Sequence, residues 1–210
     1  MSARVRRSLG RVGSYVIVSV VLAVLSGLEA TGGADPKPGA ATVADLLAKF
    51  ADAVDNGDGP AVRACFDTSK PGGRDYPDYL VAIATMNAGR VAVRHKADTY
   101  GPAVRAKAEP LLERQWGAAT TSYGPELKGG TDLKEGSRIY PPGFKGQMVI
   151  VKKRGVFLID GSEVLEGVDA EYLKSEKARY VKFGGDLTKI AASAASAEDL
   201  LAQLTKLAKE

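Results

Sequence analysis

The chain has 210 residues, 45% hydrophobic and 26% charged, with a net charge of +4, which gives room for one globular domain, alone or with a small appendage. The positive charge is no nucleic-acid footprint, because Arg4, Arg6, Arg7 and Arg11 against Glu29 place +3 of it in residues 1–34 and leave the remainder close to neutral. A lone Cys65 excludes an internal disulfide, and a lone His95 excludes a metal site built on clustered histidines.

Residues 1–34 read as an export signal. A basic stretch, 1–11, precedes an apolar run, 12–28, and the small residues Gly32, Gly33 and Ala34 stand before Asp35-Pro36. Cleavage after Ala34 leaves Asp35 as the mature start. The alternative is an uncleaved inner-membrane anchor, since the run approaches the length of a span, about 17–25 residues, although Ser14, Ser19 and Ser26 dilute it. Either way the rest of the chain is placed outside the cytoplasm, in the periplasm or extracellular space, and residues 12–28, if uncleaved, are its one expected membrane contact.

Residues 35–41 form a Pro/Gly/Ala linker, and 42–210 are expected to form a single α+β domain. Thr42 caps a helix with Asp45 three residues on, and Val43, Leu46, Leu47, Phe50 and Val54 share one face of it. Asn56-Gly57 ends that helix. Asp58 and Pro60 start a short one carrying Val62, Cys65 and Phe66, and 68–74 is a loop. Asp75 and Pro77 open a helix with Tyr79, Leu80, Ile83 and Met86, running past Val91 toward His95. Another begins near Pro102 and ends at Trp116-Gly117, with a kink or break expected at Pro110. The stretch 118–146 is polar and rich in Gly and Pro, with short strands around 120–123 and 138–140.

The clearest strand signal lies at 147–160. Met148–Val151 and Val156–Ile159 are apolar runs separated by Lys152-Lys153-Arg154-Gly155, the pattern of a β-hairpin. The C-terminal helices fall within 169–210. Asp169 caps one with Tyr172, Leu173, Tyr180 and Phe183 on its apolar side, and Gly184-Gly185 is read as its stop. A turn or two follows over 186–194. Ser196 with Asp199 then caps a last helix carrying Leu200, Leu201, Leu204 and Leu207. The fold class is therefore α+β, mostly helical, with a small curved antiparallel sheet centred on the hairpin.

Two stretches carry a family resemblance. The run Phe50-Ala51-Asp52-Ala53-Val54-Asp55-Asn56-Gly57-Asp58, followed by Val62 and Cys65-Phe66, resembles the opening of the SnoaL-like (nuclear-transport-factor-two-like) superfamily. The run Met148–Val151, a basic turn with Gly155, and Val156-Phe157-Leu158-Ile159-Asp160 resembles its final strands, with Phe157 in the place of the usual aromatic. The resemblance implies a curved sheet wrapped by helices around a cone-shaped pocket, in a family of isomerases, dehydratases, cyclases and noncatalytic binding domains. Between the two stretches the chain is helical where the family places strands, and about fifty residues of helix follow the second. No catalytic position of the family falls on a matched residue.

The residues advertise no catalytic, cofactor-binding or metal-binding set, and no cofactor is expected. His95 lies between Arg94 and Lys96 on a basic helix end, the place of a solvated or capping histidine. Asp52, Asp55 and Asp58 stand three apart, off the calcium-loop spacing. Gly124–Gly130 lacks the Lys and Ser/Thr of a phosphate loop. Asp160, Glu163 and Glu166 are the available carboxylates for acid–base work, and Trp116, Tyr100, Tyr123 and Tyr140 are the aromatics available to line a cleft. The expectation is an exported noncatalytic binding or accessory domain whose partner is a small molecule or a protein and not nucleic acid; a homodimer is compatible with it. The alternative is a cofactor-free SnoaL-like isomerase or dehydratase acting on a small hydrophobic substrate.

Overall fold

The computed structural model describes residues 36–113, 133–140 and 145–209. In chain order they hold α1 (Val43–Asn56), α2 (Gly59–Ala64), α3 (Asp75–Thr99), α4 (Pro102–Glu113), β1 (Arg138–Ile139), β2 (Met148–Lys153), β3 (Val156–Asp160), α5 (Ala170–Ser193) and α6 (Ala197–Leu207). This is the expected mostly helical α+β architecture, with one antiparallel sheet in the order β1-β2-β3. The leader 1–34, Trp116-Gly117, the strand expected at 120–123 and Gly124–Gly130 lie outside the described residues.

Local chemistry sets most helix ends. The Thr42 hydroxyl accepts from the Asp45 amide at 3.1 Å, which caps the helix, and donates to the Asp45 carboxylate at 2.8 Å. Asp58, Asp169 and Ser196 accept in the same way from the amides of Ala61, Tyr172 and Asp199. Gly57, at φ 78°, ends α1 in the left-handed conformation that a Cβ would disfavour. The apolar stripe of α1 is buried together with Val62, Cys65 and Phe66. Pro110 lies inside α4 instead of breaking it, and Leu111–Glu113 continue the helix.

The two long helices, α3 and α5, form the frame. Their contacts rise together along both chains, Tyr79 against Tyr180, Gly89 against Gly184 and Tyr100 against Ala194, so they run parallel. They meet at a glycine seam. A Cβ on Gly89 would stand 2.5 Å from the Gly184 carbonyl oxygen, and one on Gly184 would overlap the Thr85 carbonyl. This corrects the reading of Gly184-Gly185 as a stop. The helix continues to Ser193, absorbing residues expected as a separate turn, because backbone-to-backbone approach needs a residue without a side chain at Gly184. Tyr172, expected on the buried side of α5, is 56% exposed, whereas Tyr180 and Phe183 are buried. Beyond the seam, the Tyr100 hydroxyl donates to the Ala194 carbonyl at 3.0 Å and ties the two C-terminal ends together.

The hairpin forms where expected, but its turn is tighter. Lys153 pairs with Val156, so Lys152 and Lys153 belong to β2, and Arg154 and Gly155 alone make the turn. Both have positive φ, 49° and 85°, the two-residue turn whose twist matches the strands. Met148, Ile150 and Ile159 fill the core from one face of the sheet. The outer edge of β3 is covered by two single bridges, Ala40 with Phe157 and Phe66 with Ile159. The Ala40 bridge draws part of the expected 35–41 linker into the fold. Lys49 reinforces it by donating to the Gly39 carbonyl at 3.1 Å, and the compact unit begins at Lys37.

Candidate functional site

Among the described residues, the amphipathic groove between the N-terminal halves of α3 and α5 is the best candidate for a binding surface. The seam at Gly89 and Gly184 draws the helices together farther along, and a groove of about 560 Å³ opens between their earlier turns. Small and medium side chains floor it: Val81, Ala82 and Thr85 from α3, Ala178 and Val181 from α5. The Thr85 hydroxyl donates to its own helix at the Val81 carbonyl, 2.9 Å away, so it asks nothing of a ligand. Val181 is 49% exposed, one of few large apolar side chains in that state among the described residues.

Arg63, Lys177 and Lys182 set the rim of the groove, with Asp78 as its one acid. Arg63 holds Asp78 at 2.9 Å, and Lys182 holds Asp186 at 3.1 Å. Lys177 has no ion pair among the described residues, so its charge is available. The arrangement joins an apolar floor to a cationic edge and contains no nucleophile or free base.

A second polar assembly lies where the 67–74 loop crosses the hairpin. The loop supplies Asp67 and Lys70, and the hairpin supplies Lys153 and Asp160, in two reciprocal ion pairs: Lys153 to Asp67 at 2.6 Å, and Lys70 to Asp160. Because Phe66 bridges Ile159 in parallel register, the next residues, Asp67 and Asp160, share the opposite face of the sheet. Both carboxylates are buried. Burial alone would raise the Asp67 carboxyl, but hydrogen bonds from Lys153 and Ser69 outweigh it and hold the group below its ordinary range. Asp160 behaves alike, with burial overcome by Lys70 and by the hydroxyl and amide of Ser162. Lys153 also donates to the Ser69 hydroxyl at 2.7 Å. A serine beside a lysine resembles a nucleophile and base, but this lysine is already engaged in the ion pair with Asp67.

The other candidates disperse. Cys65 is buried, donates to the Ala61 carbonyl at 3.3 Å, and is pushed up to about 11 by burial, so it is an unreactive core thiol. His95 is exposed on α3. Asp58 caps α2, while Asp52 and Asp55 lie on α1. Glu163 accepts from Gln147 at 2.9 Å, and Glu166 is exposed. With Asp75 these two carboxylates edge a polar depression of about 540 Å³. Among the described residues no group of three His, Cys, Asp or Glu side chains is arranged to hold a metal ion. Tyr100 joins two helix ends under the Lys96 ammonium, 5.4 Å from its ring. Tyr140 is 64% exposed at the end of β1, and Trp116 and Tyr123 lie outside the described residues.

Sequence reasoning missed the groove. Its one available signal was the glycine pair inside α5, which marks a close helix crossing once α5 is allowed to continue. Among the described residues no helix is long and apolar enough to cross a membrane. Compared with known proteins, the chain matches no family model, no curated protein and no solved structure.

Proposed function

We propose that the protein is an exported noncatalytic binding domain that works outside the cytoplasm through the α3–α5 groove. The observation that carries this reading is the groove itself, an apolar floor around exposed Val181 with the uncommitted charge of Lys177 at its edge. The state of the acids supports it as well. A cofactor-free isomerase or dehydratase needs a carboxylate free to take a proton, and the buried carboxylates Asp67 and Asp160 are each neutralised by a lysine. The leader reading fits the fold boundary: cleavage after Ala34 removes nothing from the compact unit that begins at Lys37.

The test is site-specific photocrosslinking in the native host. A crosslinking residue at Val181 should trap a discrete partner outside the cytoplasm, and the same residue at exposed Tyr172, on another side of α5, should not. Equal trapping at both positions, or none at either, overturns the assignment of the groove. Mass determination of the exported product reports whether its chain begins at Asp35.

A further inference from the structure

We infer that the occupant of the groove is an acidic helix of a partner protein, an inference that rests on the groove being the binding surface. Three observations narrow the chemistry. First, the groove is open to solvent, whereas small-molecule sites enclose most of their ligand's surface. A long ligand lying across the surface fits it better than a compact one.

Second, the groove lies between two parallel helices and has no sheet edge. An extended segment laid there would leave its amides and carbonyls without partners; a helix satisfies its own. The floor has helix-ridge spacing, with Val81 and Thr85 four apart on α3 and Ala178 and Val181 three apart on α5, and its small side chains admit a third helix at close range.

Third, the rim is cationic. Lys177 has no ion pair among the described residues, and Lys174, three residues earlier on α5, has a side chain 78% exposed. Lys174 reaches its nearest acid, Glu171, only at 3.9 Å. An acidic partner gains from both lysines. A membrane surface would also attract them, but interfacial helices bury Trp, Phe or Leu, and the groove offers only valine and alanine.

The experiment titrates the purified protein with a labelled amphipathic peptide of about 18 residues, five helical turns, with glutamates flanking an Ala/Leu stripe. The controls are the same peptide with lysines for glutamates, and vesicles of phosphatidylglycerol. Binding is read by anisotropy for the peptides and by co-sedimentation for the vesicles. The acidic peptide should bind, weaken as salt rises, and lose about tenfold in affinity on Lys177→Glu combined with Lys182→Glu. That charge-reversed protein should in turn gain affinity for the lysine peptide, which also shows that it remains folded; should its melting curve differ from the parent's, Lys177→Gln is read instead. Binding of vesicles and not of the acidic peptide overturns the inference and leaves the groove as a binding surface. Self-association of the protein alone, abolished by Val181→Asp, overturns it in favour of a second copy of this chain. Peptide binding that survives charge reversal overturns it too, as does binding to neither probe.

Discussion

Asn87 and Arg90 lie one turn apart on α3, and each serves the last turn of a different helix. The Asn87 amide donates to the Val54 carbonyl of α1 at 2.9 Å, and the Arg90 guanidinium donates to the Leu112 carbonyl of α4 at 3.2 Å. Carbonyls at helix C-termini fall short of intrahelical partners, and here the long central helix supplies donors to them from within the core. The two residues differ in cost. Asn87 is neutral and buried. Arg90 is buried as a cation, its pKa lowered first by burial and then by the neighbouring Arg94 charge. Asn87→Leu should therefore destabilise by about 1–3 kcal/mol, because it strips a buried hydrogen bond and leaves the Val54 carbonyl only the long one from the Gly57 amide at 3.3 Å. Arg90→Met should stay within about 1 kcal/mol, because relief of the buried charge offsets the lost hydrogen bond. Urea unfolding of the two variants checks the order; a larger loss for Arg90→Met would mean that an anion compensates Arg90 in the folded protein.

The glycine seam predicts opposite signs at adjacent positions. A Cβ at Gly184 collides with backbone of α3, which cannot give way, so Gly184→Ala should destabilise by about 1–3 kcal/mol. Gly185 has open space around its Cβ position and lies in the middle of α5. Gly185→Ala should stabilise by about 0.5–1 kcal/mol through helix propensity and a less flexible unfolded chain. Thermal unfolding of both variants reads the difference. Equal effects would mean that α3 and α5 do not touch at this point.

These residues show what was legible in the sequence. The caps at Thr42, Asp58, Asp169 and Ser196 were readable because each cap and the amide it satisfies lie within three residues. The stripes of α1 and α6 were readable because helical period alone decides which side faces inward. Gly184 was misread because its reason, the backbone of Thr85 and Gly89, stands almost a hundred residues earlier. The charged clamp was invisible for the same cause: Lys70 and Asp160 are 90 residues apart and meet only because Phe66 docks on β3. The candidate site belongs to this second class. No local pattern announces a groove between helices whose pairing depends on two distant glycines.

The clamp gives a pH dependence with a definite sign. The folded carboxyls of Asp67 and Asp160 lie below the ordinary value of 3.8, so they contribute stability above that value and lose it as the pH falls through their folded pKa values. Lys153→Gln removes the pair and leaves burial opposed only by the Ser69 hydrogen bonds, which moves the Asp67 titration upward. The variant should lose about 1–3 kcal/mol at pH 7, a figure held down by the half-exposed lysine, and should begin to unfold at a higher pH than the parent. Adding Asp67→Asn should restore the parent's acid midpoint more than its stability. Unfolding followed by circular dichroism between pH 2 and 7 checks both, and an unmoved acid midpoint in Lys153→Gln would refute the clamp.

The hairpin turn carries the last expectation. Arg154 stands at φ 49°, the one non-glycine among the described residues in the left-handed region, where an L side chain crowds its own backbone. Its neighbour Gly155, φ 85°, has nothing near its Cβ position, so that glycine is required by conformation and not by space. The favoured pair for such a turn is Asn-Gly, because asparagine tolerates the left-handed region better than other side chains. Arg154→Asn should stabilise the protein by about 0.5 kcal/mol and leave peptide binding at the groove unchanged. Gly155→Val should destabilise by about 1–2 kcal/mol despite the free space, since a β-branched residue resists positive φ most strongly. Melting temperatures of the two variants decide the matter: a stable Gly155→Val protein would mean that the loop closes by some other turn.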